Sequence, residues 1–309
     1  MLKTPTITRP KTIDDLLNTQ LIAKLDPLDL SSKRVFFGKL KGERRSKKRG
    51  QSVEFADHRP YTSGDDIRHI DWNIYARLDT LFLKLFLEEE DLSLHVVIDC
   101  SASSDTGDPN KFLFMQRAAA AMGYIGLVNL NRVTMTAMGD RDDGSGIVGT
   151  LRDLRGRRRL HDLASFLCSL EPKGAFNFRS AAERIALSRR GKGVMLVFSD
   201  FFFKDGFEEG LRRLVGHGYD VFCIQVLSPQ EIEPPITGDL RLRDVEDNDA
   251  AEVTVSAPLL KRYKANLAAY CTSLEQFCTQ RDMQLLTVRS DTPVDTLVLD
   301  YLRRKGVVK

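Results

Sequence analysis

Apolar and polar positions follow two regimes along this chain, with a change of rhythm near residue 94. Before it the apolar stretches are short and broken. The first thirty residues predict one or two short helices, with Thr12 of "TIDDLL" as an N-cap before an apolar stripe. "KLKGERRSKKRGQS" then interrupts the pattern and reads as a basic loop. Residues 50–90 are rich in charge and turn residues; "YTSGDD" marks a turn and "LFLKLFLEE" an alternating strand.

From residue 94 strands alternate with helices. "LHVVID", "RVTMTAMG", "GVMLVFSD", "YDVFCIQVL" and "QLLTVR" predict strands, and "GIVGTL" a short edge piece. Helices are predicted over roughly 110–129, 157–170, 179–190 and 206–216, with a terminal one from about 293. A polar hairpin, "GDLRLRDVEDNDAAEVTVS", precedes a long amphipathic helix whose Leu260, Tyr263, Leu267, Tyr270, Leu274 and Phe277 step by three and four. Apolar strands buried on both faces and separated by helices predict a doubly wound, mainly parallel α/β sheet of Rossmann type. The expected domains are an N-terminal segment over 1–90 and a sheet domain over 91–309, with the hairpin inserted near 237–256.

Composition changes this picture little. A hydrophobic share of 42% supports a substantial core, and a net charge of +3 is too small to imply a polyanionic partner. Cys100, Cys168, Cys223, Cys271 and Cys278 form no CxxC pair and sit mostly in apolar runs, which predicts reduced thiols. The N-terminus has no apolar signal core, and no stretch reaches the ~18 apolar residues of a membrane-spanning helix. The expectation is a cytoplasmic protein without membrane insertion. No pattern speaks to the oligomeric state.

In doubly wound sheets, ligands bind beyond the carboxyl ends of the strands, where strand order reverses. Two strands end in an acid, Asp99 and Asp200, and the order 3-2-1-4-5-6 would make them neighbours at that point. Ser101 and Ser103 follow Asp99 on its loop. Two hydroxyls, one direct carboxylate and one water-bridged carboxylate suit Mg²⁺ or another divalent cation, which takes oxygen ligands and keeps several waters. The alternative is that Asp99 and Ser103 cap the helix starting near 110. A Mg²⁺-dependent phosphohydrolase with Asp99 as nucleophile would need a second acid two residues on, where Ser101 stands. No GxxxxGK[ST], HExxH or GxSxG is present, and His58, His69, His95, His161 and His217 show no ligand spacing. No residue is assigned a catalytic role, and a non-enzymatic protein is expected.

Lys41, Arg44, Arg45, Lys47, Lys48 and Arg49 pack six cations into nine residues. Such a run is a solvated loop or a phosphate contact, whether nucleic acid, anionic lipid or nucleotide. No aromatic residue interleaves with it, which argues against single-stranded nucleic acid, and nucleic acid is not the expected partner. "RGRRRL" at 155–160 carries the same two readings.

The D-x-S-x-S spacing of Asp99, Ser101 and Ser103, with Asp200, resembles the metal-ion-dependent adhesion site of von Willebrand factor A domains, over about residues 94–290. The resemblance implies a further ligand, a threonine, in a loop like G-x-T-[DN]-[LI]. "KGAFNFRSAAERIA" puts Phe176 in that place, so the implied cation site is incomplete, with Asn177 and Asp105 as oxygen-bearing neighbours.

The stretch from Gly50 to Ser103 is more specific. Glu54, Phe55, Arg59, Tyr61, Gly64-Asp65-Asp66, Arg68, Ile70-Asp71-Trp72, Ala76-Arg77, Lys84 and Glu89 resemble the signature of the family called domain of unknown function 58. That resemblance implies a bacterial or archaeal protein with a von Willebrand factor A-like domain and a charged segment docked on it. It further implies an adaptor for a MoxR-type AAA+ ATPase, with the open position of a bound cation accepting a partner's acid. Within the segment, ion pairs are expected, and Trp72 is expected to anchor by its ring and donate its N–H to a buried acceptor. The other reading is a partner-binding face that includes Asp65, Asp66, Arg68, Asp71 and Arg77.

Overall fold

The computed structural model describes residues 8–31, 54–87, 92–188, 193–215, 219–246 and 249–309. They fall into two compact units, one within Met1–Lys33 and Leu92–Lys309 and the other within Arg34–Asp91. The basic run 41–49 lies outside the described residues.

Helices α1 (Ile13–Leu16) and α2 (Thr19–Leu25) belong to the larger unit, where a boundary at residue 90 would have grouped them with the charged segment. Their apolar stripe is the reason. Leu16, Leu17, Leu21 and Leu25 share one buried core with Tyr124, Ile125 and Leu127. Thr12 starts α1, and its N–H reaches Asp15 Oδ2 at 3.0 Å.

The smaller unit pairs β1 (Glu54–Pro60) antiparallel with the strand that follows α3 (Trp72–Leu78), namely β2 (Phe82–Leu87).

In the larger unit the chain runs β3 (Ser93–Asp99), α4 (Lys111–Val128), β4 (Arg132–Met138), β5 (Ile147–Leu154), α5 (Leu160–Cys168), α6 (Phe178–Ser188) and β6 (Gly193–Ser199). It continues through α7 (Glu208–Leu214), β7 (Tyr219–Leu227), α8 (Pro229–Ile232), the hairpin β8 (Gly238–Arg243) and β9 (Ala250–Val255), α9 (Ala257–Thr279), β10 (Gln284–Arg289) and α10 (Val294–Thr296). The central sheet has the order β10-β7-β6-β3-β4-β5, parallel except for the antiparallel edge strand β5. In chain order this is the doubly wound arrangement the sequence predicts. Strand order reverses between β3 and β6.

Alternation along the central strands builds a core on each face. Leu94, Val96 and Ile98 of β3 enter the core that holds α4, and Val97 enters the one that holds α6, α7 and the end of α9. The start of β6 lies so close to β3 that a Cβ on Gly193 would stand 1.8 Å from the Ser93 carbonyl oxygen. The stripe of α9 is buried only at its C-terminal end. Leu274 and Cys278 are buried, whereas Tyr263 keeps 38% of its surface exposed, because the first turns extend past the sheet core. All five cysteines are free thiols.

Candidate functional site

The register of β3 on β6 pairs Ile98 with Phe198, which sets Asp99 beside Ser199 and delivers Asp200 one residue later. Asp99 has no exposed surface. Its Oδ1 accepts the Ser101 N–H at 2.9 Å, and its Oδ2 accepts the Ser199 hydroxyl at 2.6 Å. Burial and then the charge of Asp200 push its pKa up to about 6, against the pull of the Ser199 and Ser101 hydrogen bonds. The Ser101 and Ser103 hydroxyl oxygens lie 3.0 Å apart at the mouth. Asn110, not Asp99 or Ser103, caps α4, accepting the Leu113 N–H at 3.0 Å.

Asp200 has a partner that spacing did not suggest. Lys111, the first residue of α4, is wholly buried and donates to Asp200 Oδ2 at 2.7 Å and to Glu231 Oε1 at 2.5 Å. Burial pulls its pKa down, but the two carboxylates outweigh that and raise it. The other Asp200 oxygen accepts the Phe202 N–H at 3.0 Å, and Gln225 Nε2 donates to the Asp200 carbonyl at 3.1 Å. Glu231 is oriented in turn by Ser228, whose N–H and hydroxyl reach Oε2 at 2.7 and 3.0 Å.

Past Asp200 the chain turns sharply. Phe201 is a bulky residue in the left-handed region at φ 62°, an arrangement that survives only where its surroundings hold it. Ser199 Oγ accepts its N–H at 2.9 Å and the Tyr270 hydroxyl donates to its carbonyl at 2.5 Å. This turn places Phe202 and Phe203 against a cavity of about 290 Å³ that Ser101, Ser103, Asp200 and Phe176 also line. The cavity is the crevice beyond the carboxyl ends of β3 and β6. Asp99 lies beneath it.

Two carboxylates, Asp200 and Glu231, thus share one ammonium, and Asp99 pairs with no cation among the described residues. Two ligands of an octahedral Mg²⁺ bound at about 2.1 Å stand about 3.0 Å apart. That is the separation of the Ser101 and Ser103 hydroxyls. The same 3.0 Å is a hydrogen bond between the two hydroxyls, so the spacing is compatible with a divalent ion on Ser101 and Ser103 and equally with none. Phe176 lines the cavity and adds no oxygen. The two neighbours read as substitutes are engaged elsewhere: Asp105 with Arg9 at 2.7 Å and Asn110 at 3.1 Å, Asn177 Oδ1 with the Ser180 N–H at 2.9 Å. Among the described residues no three His, Cys, Asp or Glu side chains converge as a metal site.

In the smaller unit the acids are taken up by local structure. Asp71 caps α3 through the Asn73 and Ile74 amides at 2.9 and 3.2 Å, and meets His58 at 3.0 Å and Lys84 at 3.3 Å. Burial raises its pKa, but the His58 bond, the two amides and Lys84 together hold it at about 2. Asp65 accepts from Arg59 at 2.7 Å and from Thr62, whose backbone and side-chain hydrogen bonds lower its pKa. Asp66 caps the turn at Ile67–His69 and accepts the Arg68 N–H at 3.0 Å. Of the five residues read as a partner-binding face, Arg68 and Arg77 are exposed, alongside Asp57 and Asp79 of the same unit. Trp72 is no buried anchor. As the first residue of α3 after the Asp71 cap it points outward, 61% exposed, with its ring perpendicular to Tyr75 at 6.0 Å.

The arginines of 155–160 are partly spent inside the larger unit: Arg157 bonds Asp26 at 3.0 Å and the Tyr124 hydroxyl, and Arg159 pairs with Asp162 at 2.8 Å. Among the described residues no helix is long and apolar enough to cross a membrane.

A family model described as "Protein of unknown function DUF58" matches residues 57–271. The uncharacterised protein Rv1480 of Mycobacterium tuberculosis is 25% identical over 317 residues, covering 99% of this chain and 98% of that protein. The uncharacterised protein MAV169 of Mycobacterium avium is 26% identical over 131 residues, covering 42% of this chain and 77% of that protein. Among solved structures, the conserved hypothetical protein BatB of Bacteroides thetaiotaomicron covers 70% of this chain and 98% of its own at 13% identity and a TM-score of 0.41. A von Willebrand factor type A protein of Catenulispora acidiphila covers 72% and 43% at 12% identity and a TM-score of 0.38.

Proposed function

The chain belongs to the DUF58 family, and from that premise we propose that it is a protein-interaction domain whose binding site is the crevice between β3 and β6. The observation that carries this reading is the division of labour at the crevice. Ser101, Ser103 and Asp200 line an open cavity, while Asp99, the carboxylate in the nucleophile's place of a phosphohydrolase reading, is buried beneath with both oxygens accepting hydrogen bonds. Nucleophilic catalysis needs an accessible nucleophile beside a base. This arrangement supports binding instead, and no enzymatic activity is indicated by the relatives. A Mg²⁺ ion on Ser101 and Ser103 would neutralise Asp99 and offer an open position to an oxygen of the partner. The partner suggested by the family signature is a MoxR-type AAA+ ATPase.

The test is a surface-binding assay of the immobilised chain against the MoxR-type ATPase of the same genome, with Mg²⁺ or EDTA. Wild type binds in Mg²⁺, and the double variant Ser101→Ala, Ser103→Ala binds at least about tenfold more weakly, a loss of about 1.4 kcal/mol. Equal affinity of the two proteins in both buffers overturns the reading.

A further inference from the structure

We propose that the aromatic half of this crevice receives an arginine side chain of the partner protein. The inference rests on the crevice being the binding site and names the group it takes. Phe203 stacks on buried Phe178 with centroids 4.2 Å apart and planes 13° apart, and Phe176 meets Phe203 edge-on at 5.6 Å and 72°. The rings are therefore braced from behind and keep the cavity open. The carboxylates of Asp205 and Glu246 line the same space. Asp205 Oδ2 accepts a hydrogen bond from Asn177 Nδ2 at 2.9 Å, and Glu246 makes no ion pair with any described residue. Among the described lining residues the only cation is Lys204, and Asp244 already holds it at 3.1 Å. Asp200, also in the lining, is answered by Lys111.

The crevice thus sets uncompensated negative charge beside aromatic rings. A cation placed there gains from the ring quadrupoles and from both carboxylates, whereas an acidic side chain would meet Asp205 and Glu246 with no ammonium left to pair. A guanidinium suits the place better than an ammonium, because its planar fork lies against a ring while its N–H groups reach two carboxylates. The volume agrees. About 290 Å³ equals roughly ten waters of liquid, room for one long side chain and at the lower end of small-molecule pockets. Phe176, where the adhesion-type site would have a threonine, accordingly contributes a cation-binding wall.

The experiment is an NMR titration of the full-length ¹⁵N-labelled chain. N-acetyl-arginine methylamide is compared with its citrulline and glutamate counterparts, and Mg²⁺ is titrated separately. Arginine shifts the amides of Phe176, Phe202 and Phe203, citrulline binds at least about fivefold more weakly, and glutamate leaves them in place. Glu246→Gln and Phe176→Leu each weaken the arginine response by about fivefold, with the Mg²⁺ response of Ser101 and Ser103 retained. Citrulline or glutamate binding as well as arginine overturns the proposal, as does an arginine titration that moves nothing. If arginine fails while Mg²⁺ and the ATPase still engage the crevice, only the arginine assignment falls. If Mg²⁺ and the ATPase fail while arginine still shifts the three phenylalanines, the assignment stands and the ATPase reading falls.

Discussion

Replacing Asp99 by Asn separates the charge at the base of the crevice from its shape. In the fold Asp99 titrates at about 6, because burial and the Asp200 charge disfavour its ionised form, against an ordinary value of 3.8. A folded pKa above the unfolded one means that folding favours the protonated acid. The stability this contributes is fully present below 3.8 and is lost as pH rises through 6. A rise in pKa from 3.8 to about 6 makes the full loss about 3 kcal/mol, most of it between about pH 4 and pH 7. Asn keeps the oxygen that accepts the Ser101 N–H and turns an N–H₂ toward Ser199, whose hydroxyl loses its acceptor at a cost of about 1 kcal/mol. That cost does not vary with pH. Urea unfolding in EDTA, followed by circular dichroism at pH 4, 5.5, 7 and 8, therefore shows Asp99→Asn gaining about 2–3 kcal/mol on wild type across the series. Carboxylates remote from Asp99 titrate equally in both proteins and cancel in the difference. A stability difference that stays flat from pH 4 to pH 8 refutes the account of Asp99 as a buried, uncompensated carboxylate.

Two further outcomes test the neighbouring structure. Lys111→Met leaves Asp200 buried beside no cation and lowers unfolding free energy by about 3–5 kcal/mol, with part of the loss recovered by adding Asp200→Asn; a cost below about 1 kcal/mol would show that the ammonium is not buried between its two carboxylates. Asp71→Asn removes the charge that caps α3, so the amides of Asn73 and Ile74 exchange faster with solvent. Because the folded Asp71 pKa of about 2 lies below the ordinary 3.8, its contribution holds above 3.8 and is lost as pH falls toward 2. Along that acid series the protection of the Asn73 and Ile74 amides, taken relative to the intrinsic exchange rate at each pH, falls in wild type, and unchanged protection in the variant counts against the cap.

How far the sequence carries depends on whether a feature is local. Strands such as "GVMLVFSD" are continuous apolar runs, and helices separate them, so the sheet order and the meeting of Asp99 with Asp200 at its reversal are legible before any coordinates. Lys111 is not. It reads as one lysine opening an apolar helix, and its two acids stand 89 and 120 residues further along. Only the folded chain shows that the start of α4 passes over the end of β6. The one local signal is the charge itself, a lysine directly before "FLFMQRAAAAM". Trp72 departs from expectation for the opposite reason: the Asp71 cap, and not the apolar character of the ring, decides which way the first helical residue points. Spacing names the oxygens of a site without saying which are already paired. Here Asp200 is paired and Asp99 is not, and the position read as a missing ligand holds a ring packed edge-on against Phe203. The chemistry of the crevice follows from that imbalance of charge beside aromatic walls, which no five-residue motif contains.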